Sequence, residues 1–468
     1  MSHPIIPPSS GARRAGLLAL GLVTLLPMLA GSMANLALPA LGQAFSVPFS
    51  LLQWVLVAYL LGITCLTLVV GRLGDLLGRR RLLLGGMALF ALASLLCALA
   101  PSMGWLIAAR ALQGAGAACM IALALAMVGQ LVPAERRGWG MGLLGTLSAC
   151  GTALGPAFGG LLIGTLGWQA PFLFLVPLSL LALGAGIMGL PADGARSRGE
   201  AINLVSLLAL VVLLLCYGLL LSAGQHSGHH YVLWLIPMGL LAAWLLARSE
   251  GRARSPLLPL TLLRESALRG GLLGSALVAS VMVLTLLIGP FYLHGVFGLD
   301  MVTVGLWISG GPLMAALTGM PAGWLVDKLG ALPVVRLGLG AMLLAAIGLS
   351  ILPANLGPLG YLCPILLMTA GYALFQTANN SAVVGRAEEQ YRGAVAGLLT
   401  LARNLGQLTG AAGLGSLFAS LVGASDLTMA APAAVRFGMQ FSFVAAALLI
   451  GLGLWASGRE ARAVLAPE

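Results

Sequence analysis

Fourteen stretches of the 468-residue chain run for about twenty residues or more with almost no charge. They span roughly 15–41, 49–71, 82–100, 104–131, 139–164, 170–190, 202–223, 231–247, 270–297, 301–326, 332–352, 359–385, 393–423 and 437–457. A run of that length matches the hydrocarbon thickness of a bilayer. In lipid the backbone must satisfy its own hydrogen bonds, which selects helices for apolar runs of this kind. The expected fold class is therefore an all-α polytopic membrane protein with fourteen transmembrane helices. Composition agrees: 60% of residues are apolar and 8% charged, against roughly 25% charged in soluble domains. That excludes a soluble enzyme, a disordered chain and a disulfide scaffold. The 65 glycines suit helices that pack backbone to backbone in lipid. Arg13 and Arg14 precede the first run, but it is too long for a signal-peptide core and thirteen runs follow, so it reads as a retained helix.

Charge placement orients the spans. The net charge is +11, almost all of it arginine, with Lys328 the single lysine. With the N-terminus in the cytoplasm, 21 of the 24 basic residues fall in the inside loops and tails, and Arg436 alone falls outside. Arg110 and Arg403 lie within spans. Losing one span would move every later loop to the other side, so the bias supports both the count and the orientation. Dispersed in this way, the arginines mark topology and give no patch for nucleic acid. Of the 13 carboxylates, none sits in the interior of a span.

The six cysteines lie inside apolar runs without CxxC spacing, which argues for core packing and against disulfides or metal. His226, His229 and His230 share an outside loop, and His294 ends the ninth span. A solvated loop is the expectation for the first three. No cofactor and no metal are expected.

An internal repeat divides the chain. Gly71-Arg-Leu-Gly-Asp75-Leu-Leu-Gly78-Arg79-Arg80-Arg81 joins spans 2 and 3, and Gly323-Trp-Leu-Val-Asp327-Lys328-Leu-Gly330 joins spans 10 and 11. Gly, Asp and Gly recur at the same offsets. Spans 1–6 then correspond to spans 9–14, with spans 7 and 8 left between polar stretches. The expected organisation is a first six-helix bundle (1–190), a linker carrying two extra helices (191–269), a second six-helix bundle (270–458) and a cytoplasmic tail (459–468). Facing six-helix bundles are how many transporters build alternating access.

At this point the chain resembles a known family, the major facilitator superfamily, and within it the fourteen-span drug:proton antiporters. The loop at 71–81 is similar to the superfamily signature, with Leu76 where a basic residue is usual. Arg110-Ala-Leu-Gln113-Gly114-Ala-Gly116 resembles the second signature. Gly151-Thr-Ala-Leu-Gly155-Pro156-Ala-Phe-Gly159-Gly160 resembles the third, that of exporters. Asn35-Leu-Ala-Leu-Pro39, Gln53-Trp54 with Tyr59, and Phe375-Gln376-Thr-Ala-Asn379-Asn380 are similar as well. One departure stands out: Ala30 occupies the span-1 position where these antiporters usually carry an acid. That leaves proton coupling, and cationic substrates, without the usual carboxylate.

The resemblance implies a cytoplasmic latch in which Asp75 holds the positive N-terminal end of a helix from the other half. Asp75 is expected near Gly393, and Asp327 near Gly138, in an outward-facing state. Gly71, Gly78, Arg79, Arg80, Gly323 and Gly330 complete the gating loops. Arg110 sits deep in span 4, where a charge is costly and by default functional. It is either a cavity cation, with Gln113 one turn on, or an arginine bonded to neighbouring carbonyls. Arg403 poses the same choice. Gln376, Asn379 and Asn380 are either cavity lining or interhelical hydrogen-bond donors; Asn35 and Tyr59 complete the cavity candidates. Trp54 is either an interfacial anchor or a substrate contact.

The function expected is secondary-active export of amphipathic small molecules from the cytoplasmic (inner) membrane. The alternatives are a transporter of one neutral or anionic metabolite, or a non-transporting receptor or scaffold. A monomer that meets small-molecule substrate, lipid bilayer and protons as coupling partner, and not nucleic acid, is expected; it is not an enzyme.

Overall fold

The structure, a computed structural model, describes residues 10–131, 137–193, 204–222, 232–251, 265–353, 356–386, 392–424, 427 and 429–465. Among these residues there are sixteen α-helices, one π-helical turn and no strand. Thirteen helical segments are long and apolar enough to cross a membrane, one fewer than the fourteen expected; the remaining apolar helix, Val205–Leu221, is shorter. The histidine loop at 226–230 lies outside the described residues.

The first six spans are α1 (Ser10–Phe45), the short α2 (Phe49–Leu52) with α3 (Trp54–Leu77), α4 (Arg79–Ala98), α5 (Met103–Leu131), α6 (Arg137–Leu166) and α7 (Ala170–Gly189). The extra pair is α8 (Leu204–Ser222) and α9 (Val232–Glu250). The last six begin with α10 (Ser266–Phe297), α11 (Met301–Leu329), α12 (Ala331–Ser350) and α13 (Gly357–Arg386). Span 13, expected as one helix, is broken into α14 (Arg392–Thr409), a π turn (Gly410–Leu414) and α15 (Gly415–Val422). The chain closes with α16 (Pro432–Leu465).

The sequence repeat is a structural one at its turns. Gly78 separates α3 from α4 with φ +101°, and Gly330 separates α11 from α12 with φ +83°. Such torsions penalise every residue with a Cβ, so the final glycine of each motif is the one that lets the chain reverse.

Glycines also set how closely helices approach. A Cβ on Gly114 of α5 would fall on the Tyr59 carbonyl of α3, and one on Gly116 would lie 2.8 Å from the Phe90 amide nitrogen of α4. The two glycines of the Arg110 motif thus weld α5 to both neighbours. In α6, Gly151, Gly155 and Gly159 face Leu25, Ser32 and Met33 of α1. Pro156 and Gly160 turn to the other half: Gly160 meets the Met301 carbonyl, and Gly305 of α11 meets the Pro156 carbonyl.

The Gly160 and Gly305 contacts lie toward the arginine-poor end of the bundle, and the two halves are sealed there. Phe49 stacks edge-on against Phe291 and Phe418 of the second half, with centroids 5.4 and 6.0 Å apart. Gln53 donates to Ser416 Oγ at 3.3 Å. One apolar core runs through this end from Ala34 to Ile450 and joins both halves. Toward the arginine-rich end a second core holds only residues from Ala19 to Leu190, and a third joins α3 to α8, α10, α13 and α14. Gly323 lies about five turns along α11 from Gly305, on the same stripe, yet has nothing within 4 Å. Among the described residues the seam between α6 and α11 is therefore tight at the arginine-poor end, with no such contact at Gly323.

Candidate functional site

Arg110 is the centre of a polar cluster inside the first half. Its side chain is fully enclosed. Nε donates to the Val55 carbonyl of α3 at 3.0 Å, and Nη1 donates to Gln113 Oε1. Gln113, also fully buried, passes the chain on from Nε2 to Ser94 Oγ of α4 at 2.8 Å. Ser94 donates to the Phe90 carbonyl at 2.7 Å. Four helices hold the guanidinium: its carbon lies 4.1 Å from the centroid of the Tyr59 ring and 6.0 Å from that of Phe172 in α7. The Tyr59 hydroxyl donates to the Pro27 carbonyl of α1 at 2.7 Å. The ring is thereby pinned flat across the cation.

Among the described residues the charge has no counter-ion. Carbonyl, amide and π-face partners solvate Arg110, but Nη2 is buried with no hydrogen-bond partner. Within the candidate spans the carboxylates are Glu250, at the last position of its span, and Asp327, two residues from the end of its own. Ala30, where an acid was the usual expectation, is buried in the apolar core of the first half. An isolated cation in such a place is costly unless hydrogen bonds and polarisable rings replace water.

The remaining cavity candidates fall into separate places. Asn35 in α1 is buried, with an Oδ1 that has no partner. Asn379 joins α13 to α10: Nδ2 donates to the Gly271 carbonyl at 3.0 Å and lies 2.9 Å from Ser275 Oγ. Gln376, Asn380 and Arg403 are half-buried. Tyr59, Arg110 and Gln113 form one unit; the second-half residues are not part of it.

At the arginine-rich end, the side chains of Gly71, Asp75, Gly138 and Gly393 lie outside the described residues, and Asp327 is exposed. Among the described residues at this end, Asp193, just past α7, holds a helix N-terminus. Asp193 Oδ1 accepts from the Arg80 amide at 2.7 Å and Oδ2 from the Arg81 amide at 3.3 Å, at the start of α4. In return the Arg80 guanidinium donates to the Ile187 carbonyl in the last turn of α7, at 2.7 Å. Each charge sits on the helix end of opposite polarity. A Cβ on Gly78 would collide with the Asp193 carboxylate, a second reason for glycine at that position. Nothing local in the sequence pairs residues 78–81 with 193. Gln53 was visible in the Gln-Trp pair, but not its partner Ser416.

Residues 20–411 match the family description "Major Facilitator Superfamily". The transporter YebQ of Escherichia coli (strain K12) is 32% identical over 389 residues, 82% of this chain and 84% of the relative. The riboflavin transporter RibZ of Clostridioides difficile (strain 630) is 30% identical, covering 83% and 84%. The tetracenomycin C resistance and export protein of Streptomyces glaucescens is 30% identical, covering 89% and 78%. Among solved structures, a bacterial homologue of the human lysosomal transporter Spinster superposes with a TM-score of 0.71 at 17% identity, covering 96% and 98% of the two chains. The peptide transporter POT does so at 0.71 and 16%, covering 95% and 94%. A match over most of the chain means that the chain belongs to the Major Facilitator Superfamily of membrane transporters.

Proposed function

We propose that this transporter is a secondary-active exporter of amphipathic small molecules, neutral or anionic. It works by alternating access between residues 1–190 and 270–458, with 191–269 supplying the inserted pair and 459–468 a tail. The observation that carries the reading is the one-ended seam among the described residues, glycine on glycine at Gly160 and Gly305 with nothing within 4 Å of Gly323, as expected for one of two alternating states. The arginine bias supports placing the sealed end outside and both termini in the cytoplasm. Export is supported by the relationship to the tetracenomycin exporter.

The substrate's charge follows from the site. Arg110 acts from behind the Tyr59 ring, while Gln376, Asn380 and Arg403 offer polar contacts from the second half, and Asn35 on α1 and Asn379 on α13 are further candidates. A cation brought within about 8 Å of Arg110 at an effective dielectric of about 20 loses roughly 2 kcal/mol, or about thirtyfold in affinity. An anion gains as much. Proton coupling by the usual route lacks its span-1 carboxylate. A second reading, a transporter of one neutral metabolite, is favoured by the relationship to RibZ, which is named for riboflavin. A growth-inhibition panel on a host stripped of its own pumps tests the first reading. Raised tolerance to several unrelated neutral or acidic toxins is expected. Tolerance to none, with uptake or release of a single metabolite, would favour the second reading.

A further inference from the structure

The inserted pair has a defined seat. Besides the contact of α1 with α10, two seams run between the halves: α6 against α11, and α3 against α14 with its π turn. The first has no strap. The second is crossed by α8, which packs on α3, on α14 and on the π turn, while α9 packs on α8. On the α3 side, Gly218 faces Leu61, Val57 and Trp54, with a Cβ there coming within 3.5 to 3.9 Å of each. On the other side, Leu221 lies 3.9 Å from the Cβ position of Gly413 inside the π turn. The Tyr217 hydroxyl lies 2.6 Å from Thr409 Oγ1. Thr409 has one hydroxyl proton, which it donates to the Leu405 carbonyl at 2.8 Å. Tyr217 is therefore the donor between them.

Thr409 is the last α-helical residue before the π turn. A π turn holds an extra residue that the surrounding helix can absorb, and such turns occur at functional sites and kinks. Here it is built as Gly-Ala-Ala-Gly-Leu, and beyond it α15 carries Gly415, Ser416 and Phe418, the residues that seal the arginine-poor end. A joint of small residues thus separates the anchored part of span 13 from the part that meets Gln53 and Phe49. The bond from Tyr217 lands on the fixed side of that joint, at its edge.

We infer that α8 is a strap on this joint and that Tyr217 is a positioning residue for it. Its hydrogen bond to Thr409 stabilises the sealed arrangement of α15, and the inserted pair tunes the balance between the two access states while making no contact with substrate. The inference rests on the alternating-access reading above. It gives the two extra helices a mechanical role that a twelve-helix pair of bundles would have to perform without them.

Spin labels at Gln43 on α1 and Ser420 on α15, in a cysteine-free background in proteoliposomes, report the separation at the arginine-poor end. Wild-type protein should show a short and a long distance population. Tyr217→Phe removes one oxygen and should raise the ratio of long to short about fivefold, the worth of one net hydrogen bond. Thr409→Val should do the same, and the double variant should add nothing further. A change under twofold in Tyr217→Phe, a change toward the short distance, or additive changes in the double variant would overturn the strap. If Thr409→Val fails to reach the membrane, Tyr217→Phe decides alone. A single wild-type population under all substrate and pH conditions would overturn alternating access itself, and the strap with it, which distinguishes the two failures.

Discussion

Arg110 shows what a sequence can and cannot say about one residue. Depth is legible: an arginine well inside an uncharged run lies in the membrane. Rotation about the helix axis is not. The structure turns Arg110 inward, onto the Val55 carbonyl, Gln113 and the Tyr59 ring, which unites the two alternatives that its position leaves open. It is bonded to neighbours, yet its charge is uncancelled and reaches past one aromatic ring. Arg110→Ala should reduce transport at least tenfold at equal membrane abundance. Arg110→Lys should recover little, because a guanidinium fork can serve Val55 and Gln113 together and an ammonium on a shorter reach cannot. Efflux rates normalised to immunoblots check this; full activity of the alanine variant would reduce Arg110 to packing. Gly114→Ala places a methyl on the Tyr59 carbonyl and should destabilise the protein by about 1–3 kcal/mol, read as a lower Tm in detergent.

At the scale of elements, bilayer-length runs predict helices well because the bilayer dictates both their length and their hydrogen bonding. The Gly78 and Gly330 turns were legible for a similar reason, since a repeated glycine at a chain reversal has one common cause. Three features were not legible. The π turn in span 13 has no periodic signal, because its small residues suit an α-helix equally well. The pairing of Asp193 with the start of α4 joins segments more than a hundred residues apart. The seat of α8 depends on which face of an apolar helix meets protein, and a helix apolar all round does not declare it. Asp193 gives a test of its own. Asp193→Ala removes an N-terminal cap and should cost about 1 kcal/mol, whereas Asp193→Asn, which still accepts hydrogen bonds, should cost less. Equal Tm values for the alanine variant and wild type would show that the cap contributes nothing. On the facing seam, Gly305→Val should force α6 and α11 apart at the arginine-poor end and raise the reactivity of a cysteine placed at Val302 toward a membrane-impermeant maleimide. No change in labelling would contradict the interlocked seam.

For the whole molecule, topology and substrate charge are the two large claims. The 21-to-1 distribution of basic residues predicts 226–230 outside and 251–265 inside; reporter fusions in those loops check it, and either loop on the opposite side would break the six-two-six arrangement. The substrate claim is the central one, because Ala30 stands where the family resemblance leads one to expect an acid. It rests on an uncompensated Arg110, on Ala30 in the buried core, and on spans whose few carboxylates lie at their ends. The most direct measurement is transport in proteoliposomes of purified protein, with methyl viologen, a neutral aromatic compound and a monocarboxylate of similar size assayed side by side. The account predicts saturable transport of the neutral or acidic compound, lost in Arg110→Ala, and little of the dication. Robust, saturable transport of methyl viologen alone would contradict it.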